Sequence, residues 1–189
     1  TTNGATWTNG YVVVRHLKEG SGTLNDSTTN AVSGTPSGGV TQGASGKVGY
    51  GCTFDGVSGT KVTSSAALLP SGTNKRTMSV WFRKTATGTD RELMGYGANT
   101  AGGCRFGFWF VSGSPWSVGL ENLGSWQYFN WTYDNEWHYL TATLPQGANQ
   151  LSAVSLYLDG QLQSGTVAGG DAINTVLTEL RLSGLPTVD

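Results

Sequence analysis

The feature that most constrains this chain is alternation. Met78, Val80 and Phe82 interleave with Ser79, Trp81 and Arg83, while Phe106, Phe108 and Phe110 interleave with Arg105, Gly107, Trp109 and Val111. Successive side chains of an extended strand point to opposite faces, so each run offers one apolar face to a core and another face away from it. Leu140, Ala142 and Leu144 form a third set, Val154, Leu156 and Leu158 a fourth, and Val48, Tyr50, Cys52 and Phe54 a fifth. The β-branched run at 11–17 reads as a strand, residues 19–46 as mostly loop, and residues 177–182 as the last strand. Asp55-Gly56 and Asp159-Gly160 mark turns. No segment holds a helical period and no internal repeat is present, so the expected fold is all-β, a two-sheet antiparallel β-sandwich.

Composition narrows the function classes. A length of 189 residues suits one domain over 1–189, with the polar residues 1–10 as a linker. Twenty-nine glycines and a charged fraction of 12% match a turn-rich β chain. The formal net charge is −1 and the Lys and Arg residues are scattered, so no basic field exists to attract nucleic acid. No run approaches the roughly 20 apolar residues that a spanning helix needs, which argues against membrane insertion, and the N-terminus lacks the regions of a signal peptide. Sparse lysine, abundant Thr, Ser, Gly and Asn, and two cysteines point to a secreted or cell-surface location.

A series of short motifs occurs in order. His16-Leu17-Lys18-Glu19-Gly20-Ser21-Gly22 with Asp26 is followed by Gly46-Lys47-Val48-Gly49 and Phe54-Asp55-Gly56-Val57. Met78-Ser79-Val80-Trp81-Phe82-Arg83-Lys84, Glu136-Trp137-His138-Tyr139-Leu140-Thr141 and Leu156-Tyr157-Leu158-Asp159-Gly160 complete it. Over residues 11–181 the chain resembles the laminin-G-like, concanavalin A-like jelly-roll domains of microbial and phage surface and secreted proteins. The resemblance implies two packed antiparallel sheets; it implies function less, because the fold carries lectins, enzymes, adhesins and spacers. Thr178 stands where the family's closing strand carries Asp. Either residues 177–182 close the sandwich, or they precede a closing strand beyond Asp189, leaving an edge beside residues 11–17 open to self-association.

The candidate sites are weighed on chemistry. Asp90/Glu92 and Asp134/Glu136 are the closest acidic pairs; both lie among turn residues and read as solvated loop charges, so no catalytic residue is assigned and an enzyme is not expected. His16 and His138 are too few for a zinc triad, and His138 reads as packed and hydrogen-bonded. For a structural calcium the best carboxylates are Asp26 and Glu179, against a loop-capping Asp and an ordinary exposed Glu. Cys52 and Cys104 share core parity with Phe54 and Phe106; a disulfide and two buried thiols both remain open.

The strongest functional signal is aromatic density between Trp109 and Trp137. Apolar faces of sugar rings stack on aromatic rings while amide and acidic groups bind hydroxyls, which points to carbohydrate binding through Trp109, Trp116, Trp126, Tyr128, Asn130 and Trp131. Gly113, Pro115, Gly119 and Gly124 place much of that segment in turns. Trp81 and Tyr157 are the fallback position. The expected function is a non-catalytic, lectin-like module binding polysaccharide or glycan, with other domains of a larger surface protein as further partners; the alternative is a structural or adhesive protein-interaction domain of a surface protein, filament or virion.

Overall fold

The computed structural model describes residues 6–85, 90–113 and 116–183. Two antiparallel sheets face each other. The larger has eight strands, in the spatial order β1 (Thr35–Ser37), β4 (Lys61–Ser65), β14 (Glu179–Leu182), β6 (Arg91–Gly97), β7 (Arg105–Val111), β8 (Trp116–Glu121), β9 (Trp126–Trp131) and β13 (Thr166–Ala168). The smaller has four, in the order β12 (Gln161–Leu162), β11 (Ser155–Leu158), β10 (Trp137–Leu144) and β5 (Arg76–Arg83). A separate ribbon pairs β2 (Thr41–Ser45) with β3 (Tyr50–Thr53).

The core lies between the two sheets and follows the alternation. Phe106, Phe108, Phe110, Val118, Leu120 and Phe129 from the large sheet meet Met78, Phe82, Leu140, Ala142, Leu144 and Leu156 from the small one. A second, smaller cluster of Leu24, Val62 and Leu182 is joined by partly buried Val40, Cys52 and Phe54 from the ribbon end.

Three expectations change. Residues 11–17 form no strand: the Asp26 carboxylate accepts the Val14 N–H at 2.9 Å, and Ser27 N–H bonds Val14 O at 2.8 Å, so loop contacts take the groups that a sheet would use. Residues 19–46 are mostly loop, as expected, with two short strands, β1 and β2, within them. Val48 is 84% exposed and Tyr50 is also exposed, because the ribbon belongs to neither sheet and only its end reaches a core. Last, β14 pairs with both β4 and β6, so it fills an interior position of the large sheet.

The cysteines are both free. Cys52 belongs to the ribbon and packs toward the second cluster, whereas Cys104 is buried at the start of β7. Shared parity with a phenylalanine does not say which part of a core, if any, a side chain enters. Burial, with Glu19 nearby, pushes the Cys52 thiol up from its ordinary value.

His138 ties three segments together. Its Nδ1 lies 2.7 Å from Asp159 Oδ2 and its Nε2 3.1 Å from both Asp134 carboxylate oxygens, while its ring packs on Phe82 and Trp131. Burial would lower the imidazole pKa, but the hydrogen bonds to Asp159 and Asp134 outweigh it and the value is raised above 6.5. The Asp134 carboxyl is lowered by the Glu136 N–H and by His138. Asp159 is lowered by His138 and the Tyr139 N–H, against burial. A raised His contributes stability that is complete below its unfolded value and lost as pH rises through the folded one; lowered carboxylates contribute stability that is lost as pH falls. The cluster is therefore strongest between the ordinary carboxylate and histidine values, 3.8 and 6.5. Thermal melts of the parent should fall from pH 6 to pH 8 more than those of His138→Gln; parallel slopes would remove His138 from the pH response.

Candidate functional site

The segment expected to be turns is a β-hairpin within the large sheet. β8 and β9 pair from Trp116↔Trp131 to Glu121↔Trp126, and Leu123 (φ 65°) with Gly124 (φ 106°) forms the tight turn between them. Two successive positive φ values match the twist of a two-residue hairpin. Gly119 is a strand residue. A Cβ there would lie 2.0 Å from Gln127 O and 2.7 Å from Tyr128 Cα, so the glycine allows close backbone approach and marks no turn.

Once this segment is strand, parity sorts the aromatic residues. Trp126, Tyr128 and Asn130 share the outer face of the large sheet, and Trp131, an odd number of positions from Trp126, points inward. Trp131 is 5% exposed, in the core against Phe82 and Phe110. Trp109 does project from the outer face, as parity requires, but is 8% exposed because the Arg105 guanidinium lies over its ring at 4.7 Å. Neither ring is offered to a ligand, which corrects the expected site. The Trp116 side chain lies outside the described residues.

What remains is a smaller site. Trp126 is 41% exposed and stacks on Tyr128, with ring centroids 6.5 Å apart and planes 21° from parallel. Glu121 faces Trp126 across the hairpin; its Oε1 accepts Arg105 Nη2 at 2.6 Å and its Oε2 accepts the Tyr128 hydroxyl at 3.5 Å. Burial, with the charges of Glu121 and Asp90, pushes the Tyr128 phenol pKa up, so it stays a neutral donor. Asn130 is exposed one step farther along the same face.

Beside this pair lies a buried charge network that the sequence reading missed. Glu92, whose turn-like neighbours suggest a solvated loop charge, sits in β6 at 1% exposure. A β-bulge between Glu92 and Met94 breaks the period of two, placing Glu92 opposite Trp109 and on the same face as Gly95. Gly95 and Gly107 are cross-strand neighbours between Arg181 and Glu121. A Cβ on either would come within 3 Å of Glu92 Oε1, so the glycine pair makes room for the carboxylate. Arg181 Nε donates to Glu92 Oε2 at 3.1 Å, and its Nη1 to Glu179 Oε1 at 2.9 Å. Burial pushes the Glu92 carboxyl up, against the pull of Arg181. Among the described residues, Glu92 Oε1, Arg105 Nε, Trp109 Nε1 and Arg181 Nη2 are buried without a hydrogen-bond partner.

The two carboxylates considered for calcium have separate partners. Asp26 accepts backbone N–H groups of Val14, Thr28 and Val32 and the Thr28 hydroxyl. Glu179 is paired with Lys61 and Arg181. A calcium at Asp26 would compete with those loop bonds. Among the described residues no group of three or more His, Cys, Asp or Glu side chains is arranged to hold a metal ion.

Among the described residues no helix is long and apolar enough to cross a membrane. A comparison with curated proteins found no match. Among solved structures, the chain is similar to the receptor binding domain of botulinum neurotoxin D, with TM-score 0.57 and 13% identity over 88% of this chain and 43% of that one. Botulinum neurotoxin type C, whose route into cells depends upon interaction with two ganglioside molecules, gives TM-score 0.59 and 15% identity over 94% and 44%. The binding domain of botulinum neurotoxin DC in complex with rat synaptotagmin II gives 0.53 and 15% over 91% and 46%. The chain thus spans less than half the length of these structures, and the likeness is one of fold. Residues 54–184 match the family model described as the Concanavalin A-like lectin/glucanases superfamily, which covers well over half of the sequence. With two antiparallel sheets packed about one aromatic core, the chain belongs to that superfamily.

Proposed function

We propose that this chain is a non-catalytic binding module of an extracellular or cell-surface protein, and that its ligand is a glycan held on the outer face of the large sheet. The observation that carries this reading is the exposed Trp126 ring stacked on Tyr128, with the Glu121 carboxylate across the hairpin. A sugar ring stacks its C–H face on such a platform, while Glu121 and Asn130 accept or donate to its hydroxyls. The carboxylates of the face support binding over hydrolysis, since Glu92 and Glu121 are each clamped by a guanidinium. The fold is shared with part of botulinum neurotoxin type C, a protein whose cell entry depends upon interaction with two ganglioside molecules.

A glycan array followed by affinity gels with the polysaccharides it identifies tests this. Trp126→Ala should weaken retardation about fivefold, taking the ring as contributing roughly 1 kcal/mol. A folded variant with unchanged affinity would move the site off this face, and a parent that migrates unchanged in every gel would favour an adhesive protein-interaction role.

A further inference from the structure

The outer face of the small sheet forms a second surface, of different chemistry. Trp81 is 45% exposed, and its ring lies 5.0 Å from that of its cross-strand partner Tyr139. The Tyr139 hydroxyl donates to Ser79 Oγ at 2.7 Å, which fixes the ring against the sheet. Trp137 precedes Tyr139 by two residues on the same face, about 7 Å along the strand. Tyr157 follows on β11, opposite Thr141.

The charges on this face are all of one sign. Lys47 reaches over from the β2–β3 turn, its Nζ 5.4 Å from the Trp81 ring centre. Arg83 lies over Trp137 at 5.4 Å and makes no hydrogen bond or ion pair within the described residues. The outward positions of β5, β10 and β11 are otherwise aromatic or hydroxyl-bearing, with no Asp or Glu. Asp159, at the β11–β12 turn, is held by His138 and the Tyr139 N–H and also feels the Lys47 charge, whereas Arg83 has no carboxylate partner among the described residues. On the large sheet, by contrast, Arg105 and Arg181 are both neutralised by glutamates.

We propose that this face binds an acidic polysaccharide, its sugar rings lying on Trp81 and Tyr139 and its carboxylates pairing with Arg83 and Lys47. Aromatic rings supply the stacking surface, and an unpaired guanidinium takes a carboxylate in a two-pronged hydrogen bond. The inference is independent of the Trp126 site, because no residue is shared.

The test is affinity electrophoresis with polygalacturonate and, as its uncharged counterpart, the fully methyl-esterified polymer, with thermal melts confirming that each variant folds. The parent should be retarded by the acid form more than by the ester, and less so at high salt, since screening weakens exposed charge pairs. Trp81→Ala should weaken binding to the acid form about fivefold. Arg83→Gln with Lys47→Gln should equalise acid and ester, and Trp126→Ala should leave polygalacturonate binding unchanged. Failure of the parent to bind polygalacturonate, equal binding of acid and ester, or unaltered affinity in Trp81→Ala would overturn the proposal. Loss in Trp126→Ala alone would assign the acid to the large sheet instead.

Discussion

Arg181→Met should destabilise the fold by about 3–5 kcal/mol at neutral pH, the usual cost of leaving one charge of a buried pair without its partner. Glu92 is 1% exposed, with Arg181 on one oxygen and two glycines beneath the other. No solvent can replace the guanidinium there, so the carboxyl would be driven to protonate. The cost should depend on pH in a defined direction. Losing Arg181 raises the folded pKa of Glu92 further above its unfolded value, and a raised carboxyl loses stability as pH rises. The deficit should shrink toward acid pH, where Glu92 is protonated in both states. Glu92→Gln/Arg181→Met should recover most of the loss, because a neutral pair removes the stranded charge. Urea melts at acid and neutral pH read all three results; a pH-independent loss of under about 1 kcal/mol, the range of an exposed pair, would show that the network is solvated.

Phe106→Ala should cost a similar amount, about 3–5 kcal/mol, by opening a cavity in the main core. Phe106 is fully buried, near the Tyr96 ring at 6.3 Å and beneath the Arg76 guanidinium at 5.0 Å. Neither neighbour can collapse into the space. Tyr96 is held through its hydroxyl by Pro70 O and Arg76, while Arg76 is pinned by the carbonyls of Gly72 and Asn74 and by Thr175. In a chain of this size the thermal midpoint should drop by roughly 6–20 °C. Val48→Ala, at a highly exposed ribbon position, is the control and should stay within about 0.5 kcal/mol. A Phe106→Ala loss no larger than the control would mean that the core repacks around the missing ring.

Trp109, Glu92 and Trp126 separate what local sequence dictates from what pairing between strands adds. The alternation at 78–83, 106–110 and 140–144 already contained the two-sheet architecture and the core rows, because side-chain direction in a strand is a local property of the backbone. It also placed Trp109 on the outer face. Whether that ring reaches solvent depends on Arg105, and the Glu92 position depends on a bulge that shifts parity by one residue; both follow from pairing between strands. Gly119 was misread for the same reason. A glycine signals a turn or a close approach equally well, and only the neighbouring strand decides between them.

Fold class, superfamily, the core-facing residues of the long strands and the aromatic segment that contains Trp126 and Tyr128 are all legible in the order of residues along the chain. Tertiary structure alone decided that Trp131 is core, that Cys52 and Cys104 stay apart, and that β14 fills an interior position. It also brought Glu92, Arg105, Glu121 and Arg181 into one network. The physical reason is range: parity and turn chemistry act over a few neighbouring residues, whereas burial, ion pairing and ring exposure are set by contacts between strands far apart in the chain, as with Arg181 and Glu92.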